Sequence, residues 1–172
     1  SQLWKPDVVG GIYRIRRSGA PQISAPRGLK IDWNNLKPKQ LVRLLDDNRP
    51  RVVARAMQQL ARNPGTAIPA LESVLEKSTS EVTRRNAVWV LTRIDDPKAR
   101  RAVYAAFRRG RNKQFDPNDT AIQVAIYSIG LWRDRDALSA PAQRYGVKEA
   151  LITALNSSSA AMSRVAAETI GR

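Results

Sequence analysis

Val52, Ala56 and Leu60 stand four residues apart, and the same triplet recurs down the chain. Thr83, Ala87 and Leu91 repeat it 31 positions on, Ala121, Ala125 and Ile129 a further 38 on, and Met162, Ala166 and Ile170 form a fourth set. A spacing of four places each triplet on one face of a helix. A unit with one apolar face cannot bury that face alone, so units repeated at this period must stack on one another. The recurring alanine fits such stacking, because a larger side chain at a helix–helix contact would hold the two axes apart.

A second helix precedes each triplet. Leu41, Leu44 and Leu45 mark it in the first unit, Leu71 and Leu75 in the second, Val103 and Phe107 in the third, Leu151 and Leu155 in the fourth. Turn signals separate the paired helices. Asp46-Asp47-Asn48-Arg49-Pro50 offers Asp47 or Asn48 as a cap with proline in the first turn, and Asn63-Pro64-Gly65 ends the next helix. Ser78-Thr79-Ser80-Glu81 has the spacing of a capping box, Ser78 at the cap and Glu81 three residues on. Asp96-Pro97 opens the third unit, Ser157-Ser158-Ser159 makes the turn of the fourth, and Asp119 precedes Thr120 as a helix cap. The third unit carries an insertion from Gly110 to Asp119, and a polar linker from Arg133 to Tyr145, containing Pro141, precedes the fourth. The pattern predicts an all-α fold: a right-handed α-solenoid of about four helical hairpins, with a short N-terminal β-strand or extended arm. The repeats occupy 38–172 (38–64, 65–95, 96–134 and 145–172), after a linker and cap over 18–37, where Trp33 covers the open apolar end.

The chain has neither cysteine nor histidine. That removes disulfides, thiol nucleophiles, thiolate metal sites, the commonest general base and the c-type haem attachment motif from this segment. No apolar run is long enough to span a bilayer, and no signal peptide is visible. The chain starts at Ser1 and stops at Gly171-Arg172 within a helical pattern, as a piece of a longer protein would. The acidic pairs Asp46-Asp47, Asp95-Asp96 and Asp134/Asp136 stand before helices and read as caps. Asp116-Pro117-Asn118-Asp119 lacks the glycine and terminal glutamate of a calcium loop. No Gly-rich phosphate loop or nucleophile elbow is present.

The spacing Val52-x-x-x-Ala56-x-x-x-Leu60 and the run Arg84-Arg85-Asn86-Ala87-Val88-Trp89-Val90-Leu91 resemble HEAT repeats, over residues 38–172. At the front, Gly11-Ile12-Tyr13-Arg14-Ile15-Arg16 alternates apolar and basic residues as a strand does. With its surroundings from Trp4 to Arg17 it is similar to the closing strand of a β-propeller of the soluble glucose/sorbosone dehydrogenase-like kind. Ala25 to Trp33 then leads into the first repeat. The join resembles exported, planctomycete-type membrane-bound dehydrogenases, in which a propeller precedes HEAT repeats and a cytochrome c-like domain often follows. The resemblance implies that residues 1–17 are a remnant of the propeller strand. It implies a periplasmic or exported location, and flanking domains of the parent chain or another protein as partners. The family's catalytic and cofactor residues lie on propeller loops absent here, so no catalytic, cofactor-binding or metal residue carries over and this segment is expected to hold no cofactor.

Thirty Lys+Arg stand against fifteen Asp+Glu, a formal charge of +15. Such an excess favours acidic partners or polyanions. It is densest in Lys98, Arg100, Arg101, Arg108, Arg109, Arg111 and Lys113, with no acid between Asp96 and Asp116. Arginine forks bind phosphate or carboxylate bidentately, so these seven are the candidate polyanion- or partner-binding residues. Two functions follow. One is a non-catalytic HEAT scaffold within a larger dehydrogenase-like protein, setting a propeller against a downstream domain, its concave face built from the second helices. The alternative is a basic HEAT module that binds nucleic acid or another polyanion through the third repeat. Trp89 and Trp132 lie on second helices and are expected to pack in the core or against a neighbouring repeat.

Overall fold

The computed structural model describes residues 15, 17–19, 21, 23–108, 118–134 and 146–172, with Phe107 and Arg108 in backbone alone. The described residues form eight α-helices and no strand. They are α1 (Pro38–Arg43), α2 (Pro50–Arg62), α3 (Pro64–Lys77), α4 (Glu81–Thr92), α5 (Pro97–Arg108), α6 (Thr120–Trp132), α7 (Val147–Leu155) and α8 (Ala160–Ile170). A 3-10 turn, Leu44–Asp46, extends α1. The strand expected over 11–16 falls almost wholly outside the described residues; Ile15, the described apolar member, is almost fully exposed.

Consecutive helices pair as hairpins, α1 with α2 through α7 with α8. The even-numbered helices stack in chain order as one layer (α2, α4, α6, α8) and the odd-numbered helices as the other (α1, α3, α5, α7). Each hairpin touches its sequence neighbours, which is the quasi-one-dimensional packing of a solenoid. The even layer is the tighter one, and it carries the recurring alanine. Ala56, Ala87, Ala125 and Ala166 are all fully buried, so the small side chain admits close axes as the sequence implies. Val52, Leu60, Leu91 and Ile129 are buried beside them.

At the N-terminal end Trp33 closes the core. It is 5% exposed, packed in the main apolar cluster with Leu41, Val52 and Ala56. Its indole Nε1–H donates to the Gly28 carbonyl at 2.9 Å, and the Arg55 guanidinium lies 4.6 Å from the ring centroid. Gly28 has φ +62°, and a Cβ there would meet Val52 Cγ2 at 2.7 Å. The turn that brings Trp33 back over the first hairpin therefore needs glycine twice over, for conformation and for space.

The sequence pattern leaves Leu151, Leu155, Ala166 and Ile170 of the fourth hairpin covered on one side only, and two of the four are open to solvent. Leu155 and Ile170 hold the columns of Leu75 and Leu91, which are buried, yet they are 39% and 53% exposed. Among the described residues no further helix packs on the far side of α8. Thr169 is buried in place of Ile170, and its Oγ1–H donates to the Ile126 carbonyl at 3.1 Å.

Polar ties link successive turns. Asp46 accepts from Ser80 Oγ at 2.6 Å, Arg84 donates to Asp119 at 2.9 Å, and the Asn86 amide donates to the Leu45 carbonyl at 2.7 Å. These ties correct two capping expectations. Ser80, not Ser78, caps α4, accepting from the Thr83 N–H at 3.1 Å, while Ser78 Oγ accepts from the Ser80 N–H. Glu81 turns away from its own helix start and accepts from the Thr120 N–H and hydroxyl, one hairpin on. At α2 the N-cap is Arg49 rather than Asp47 or Asn48; Asp47 binds the Arg49 N–H and guanidinium instead. Asp119 caps α6 as expected, accepting from the Ala121 N–H at 2.8 Å. Asp96 accepts from the Lys98 N–H at 2.6 Å at the start of α5.

The Thr120 hydroxyl and N–H hold the Glu81 carboxyl below the usual glutamate range, with Arg84 and Arg85 adding to the effect against a smaller opposing desolvation. A carboxyl depressed by folding stabilises the fold above its unfolded value, about 4.3, and that contribution disappears as pH falls through the lower folded value. Glu81→Gln should therefore lower Tm at neutral pH, and the gap to wild type should close as pH falls below the unfolded value of about 4.3. Asp47, held low mainly by Arg49, titrates in both proteins and cancels. Thermal melts across this range check it; a gap that stays constant with pH would contradict the assignment.

Candidate functional site

The structure divides the basic stretch singled out in the sequence. Neighbouring helical residues point about 100° apart, so Arg100 and Arg101 leave α5 on different sides. Arg100 donates to Asp95 at 3.4 Å and lies 5.5 Å over the Trp132 ring, tied to the turn before its own helix and to the end of the next. Lys98 and Arg101 instead line a groove of about 280 Å³ between the N-terminal halves of α3 and α5. Ile68 and Pro69 form part of its wall, and Glu72 and Asp96 bring two carboxylates to it. Pro69 removes the helical hydrogen bond to Gly65 on that side of α3. The field of this groove is mixed in sign. The side chain of Arg108, and Arg109, Arg111 and Lys113 entirely, lie outside the described residues.

Trp89 leans into the neighbouring hairpin, as the sequence suggests: its ring meets Tyr127 of α6 edge-on, with centroids 5.9 Å apart. Trp132 packs edge-on against Tyr104, with centroids 6.3 Å apart, and donates from Nε1 to the Thr92 carbonyl at 3.4 Å. Asp134 accepts from the Tyr104 hydroxyl, and the residues that follow it, 135–145, with Asp136 among them, lie outside the described residues.

A second surface emerges when the even helices are aligned on their buried alanines. The residue two positions after each alanine lies on the opposite, outward side of the layer. These residues are Gln58, Trp89, Tyr127 and Glu168. One turn before and after them stand Ala54 and Arg62, Arg85 and Arg93, Gln123 and Leu131, Arg164 and Arg172. They form a continuous face across all four hairpins. At its centre Trp89 and Tyr127 are half-buried against each other, and the Arg172 guanidinium lies 4.9 Å over the Tyr127 ring. Leu131 is exposed beside them. Among these residues there are five arginines and one acid, Glu168, whose Oε1 is 4.0 Å from Arg164. The signal was in the sequence, two residues along from each alanine, but it shows only once the repeats are in register.

Among the described residues no group of three or more carboxylates is placed to hold a metal ion, and no helix is long and apolar enough to cross a membrane.

A family profile described as HEAT repeats matches residues 38–115. The chain matches no curated protein and no solved structure. HEAT repeats in general are non-catalytic scaffolds for protein–protein interaction, stacked so that one layer of helices offers an extended face. With the profile match, the paired helices and the layered stacking together, residues 38–115 are a HEAT-repeat region within an α-solenoid.

Proposed function

We propose that this chain is a non-catalytic scaffold whose outward even-layer face docks another protein or a flanking domain. The observation that carries this reading is the Trp89–Tyr127 pair at the centre of that face, bordered by Leu131 and by arginines. Trp, Tyr and Arg at the middle of a rigid surface are the residue types that dominate binding energy at protein interfaces. The even layer is the closer-packed one, which supports its lying on the inside of the solenoid's curve. In its finer form the reading makes the chain a spacer that orients a propeller-like domain ahead of it against a downstream partner. That form is supported by the propeller-like sequence at 4–17 and by the stacked repeats that would hold such domains at a fixed distance. Lys98 and Arg101 share their groove with Glu72 and Asp96, so that site suits a partner of mixed charge better than a polyanion.

The test is affinity capture from the source cell's extract with mass-spectrometric identification. The baits are wild type, Tyr127→Ala/Leu131→Ser, and Ser73→Ala/Glu76→Ala on the opposite layer. Proteins held by wild type and by the opposite-layer variant should be lost from the even-layer variant, with circular dichroism confirming all three folds. The same captured set on all three baits would refute the assignment of this face.

A further inference from the structure

The chemistry of the outward face narrows its partner further. We propose that it takes an acidic segment of a partner protein, anchored by an apolar side chain against Trp89 and Tyr127 and clamped by Arg85 and Arg93. This rests on the docking role proposed above and adds the partner's chemical class.

Arg85, Trp89 and Arg93 follow one another at single-turn intervals along α4 and its C-cap, so all three share the outward face. At 1.5 Å rise per residue the two arginines leave the helix about 12 Å apart. An extended chain advances about 3.3 Å per residue and returns to the same side every second residue. Two carboxylates four positions apart therefore span about 13 Å, and the residue between them, two from each, faces the same way. The complementary segment reads acid–x–apolar–x–acid. Its acids meet Arg85 and Arg93, and its apolar side chain rests on the Trp89–Tyr127 pair and reaches towards exposed Leu131. Glu81, one turn before Arg85, is held by Thr120 in the next hairpin. Arg172 adds a further positive charge over Tyr127.

The same residues argue against nucleic acid as the occupant. Base stacking needs an open ring face. Here Trp89 and Tyr127 meet edge to face, and Arg172 covers one face of Tyr127. Glu168 also places a carboxylate on the surface a phosphate backbone would track.

Fluorescence anisotropy tests this with the chain and three labelled probes. The first is a Gly/Ser-flanked peptide with the core glutamate–serine–leucine–serine–glutamate; the second replaces both glutamates with glutamine; the third is a single-stranded oligothymidylate. The acidic peptide should bind best and weaken with salt. Arg85→Glu and Arg93→Glu should each raise its Kd about tenfold or more, while Lys77→Glu, exposed at the end of α3 in the opposite layer, should leave it within about twofold. Arg93 is exposed and Arg85 partly so, and neither lies in the buried core, so these variants keep the fold where Trp89→Ala is at risk. Equal binding of the glutamine peptide, still dependent on Tyr127 and Leu131, would overturn the acidic clamp and leave the docking face standing. Preferential oligothymidylate binding lost in Arg93→Glu would overturn both. Binding of no probe, with captured proteins still dependent on Tyr127 and Leu131, would overturn the acid–x–apolar–x–acid partner alone.

Discussion

Trp33→Ala should destabilise the protein by about 3–5 kcal/mol, the range for removing a buried tryptophan. The indole is nearly inaccessible, fills the end of the main apolar cluster and donates to the Gly28 carbonyl. Its loss opens Val52 and Leu41 to water and removes the surface on which Arg55 stacks. In a stacked array, damage at one end spreads only through nearest-neighbour contacts. Hydrogen exchange should therefore accelerate first in α1 and α2, while α6 and α8 keep their protection. Trp33→Phe separates the two contributions. It keeps most of the apolar area but not the N–H donor, whose net worth is about 1 kcal/mol, and Gly28 still receives the Ile31 N–H at 3.1 Å. A cost below about 1 kcal/mol for the alanine variant would show that the solenoid end does not depend on this cap.

The recurring columns were legible because helical spacing dictates which side chains share a face. Val52, Ala56, Leu60, Ala87, Leu91, Ala125, Ile129, Met162 and Ala166 are buried where the pattern puts them. Periodicity identifies the inward face but not what covers it, which is why Leu155 and Ile170 share columns with buried residues and are themselves exposed. Capping was harder for a related reason. Ser78 and Ser80 are equally good cap residues by type, and Ser80 is the one whose hydroxyl also donates to Asp46, thirty-four positions before it. Glu81 has the right spacing for a capping box with Ser78, but Thr120 offers it two donors. Both outcomes belong to contacts between hairpins, which local sequence does not encode.

The candidate site follows the same division. Seven basic residues close in sequence need not be close in direction, and helical rotation sends Arg100 to Asp95 and Trp132 while Arg101 faces α3. Residues that do converge, such as Trp89 and Tyr127, are thirty-eight positions apart and adjacent only after the even helices stack. A solenoid builds its surface from equivalent positions in successive repeats. Its functional residues are found by aligning the repeats, and a search for local clusters passes over them.

Gly130→Val should uncouple the fourth hairpin from the third. Gly130 lies in α6 against α8, and a Cβ there would stand 3.0 Å from both the Cα and Oγ1 of Thr169. The Cα is backbone, so relief requires α8 to move rather than a side chain to turn. The two γ-methyls of valine add to that displacement, and the Thr169 hydroxyl must then give up the Ile126 carbonyl. Overpacking of this kind costs about 1–3 kcal/mol. The effect should concentrate in α8, because α6 and α8 make one of the closest helix contacts in the protein and α7 has few contacts with α5. Gly130→Ala is the informative companion. In a free helix it would gain about 1 kcal/mol from propensity, and here that gain is set against the contact with Thr169, leaving a small net change. Hydrogen exchange by mass spectrometry should show α7 and α8 losing protection in Gly130→Val while α2 and α4 stay unchanged. An unaltered Tm and unaltered exchange in α8 would mean that the close approach of α6 and α8 does not hold the last hairpin in place.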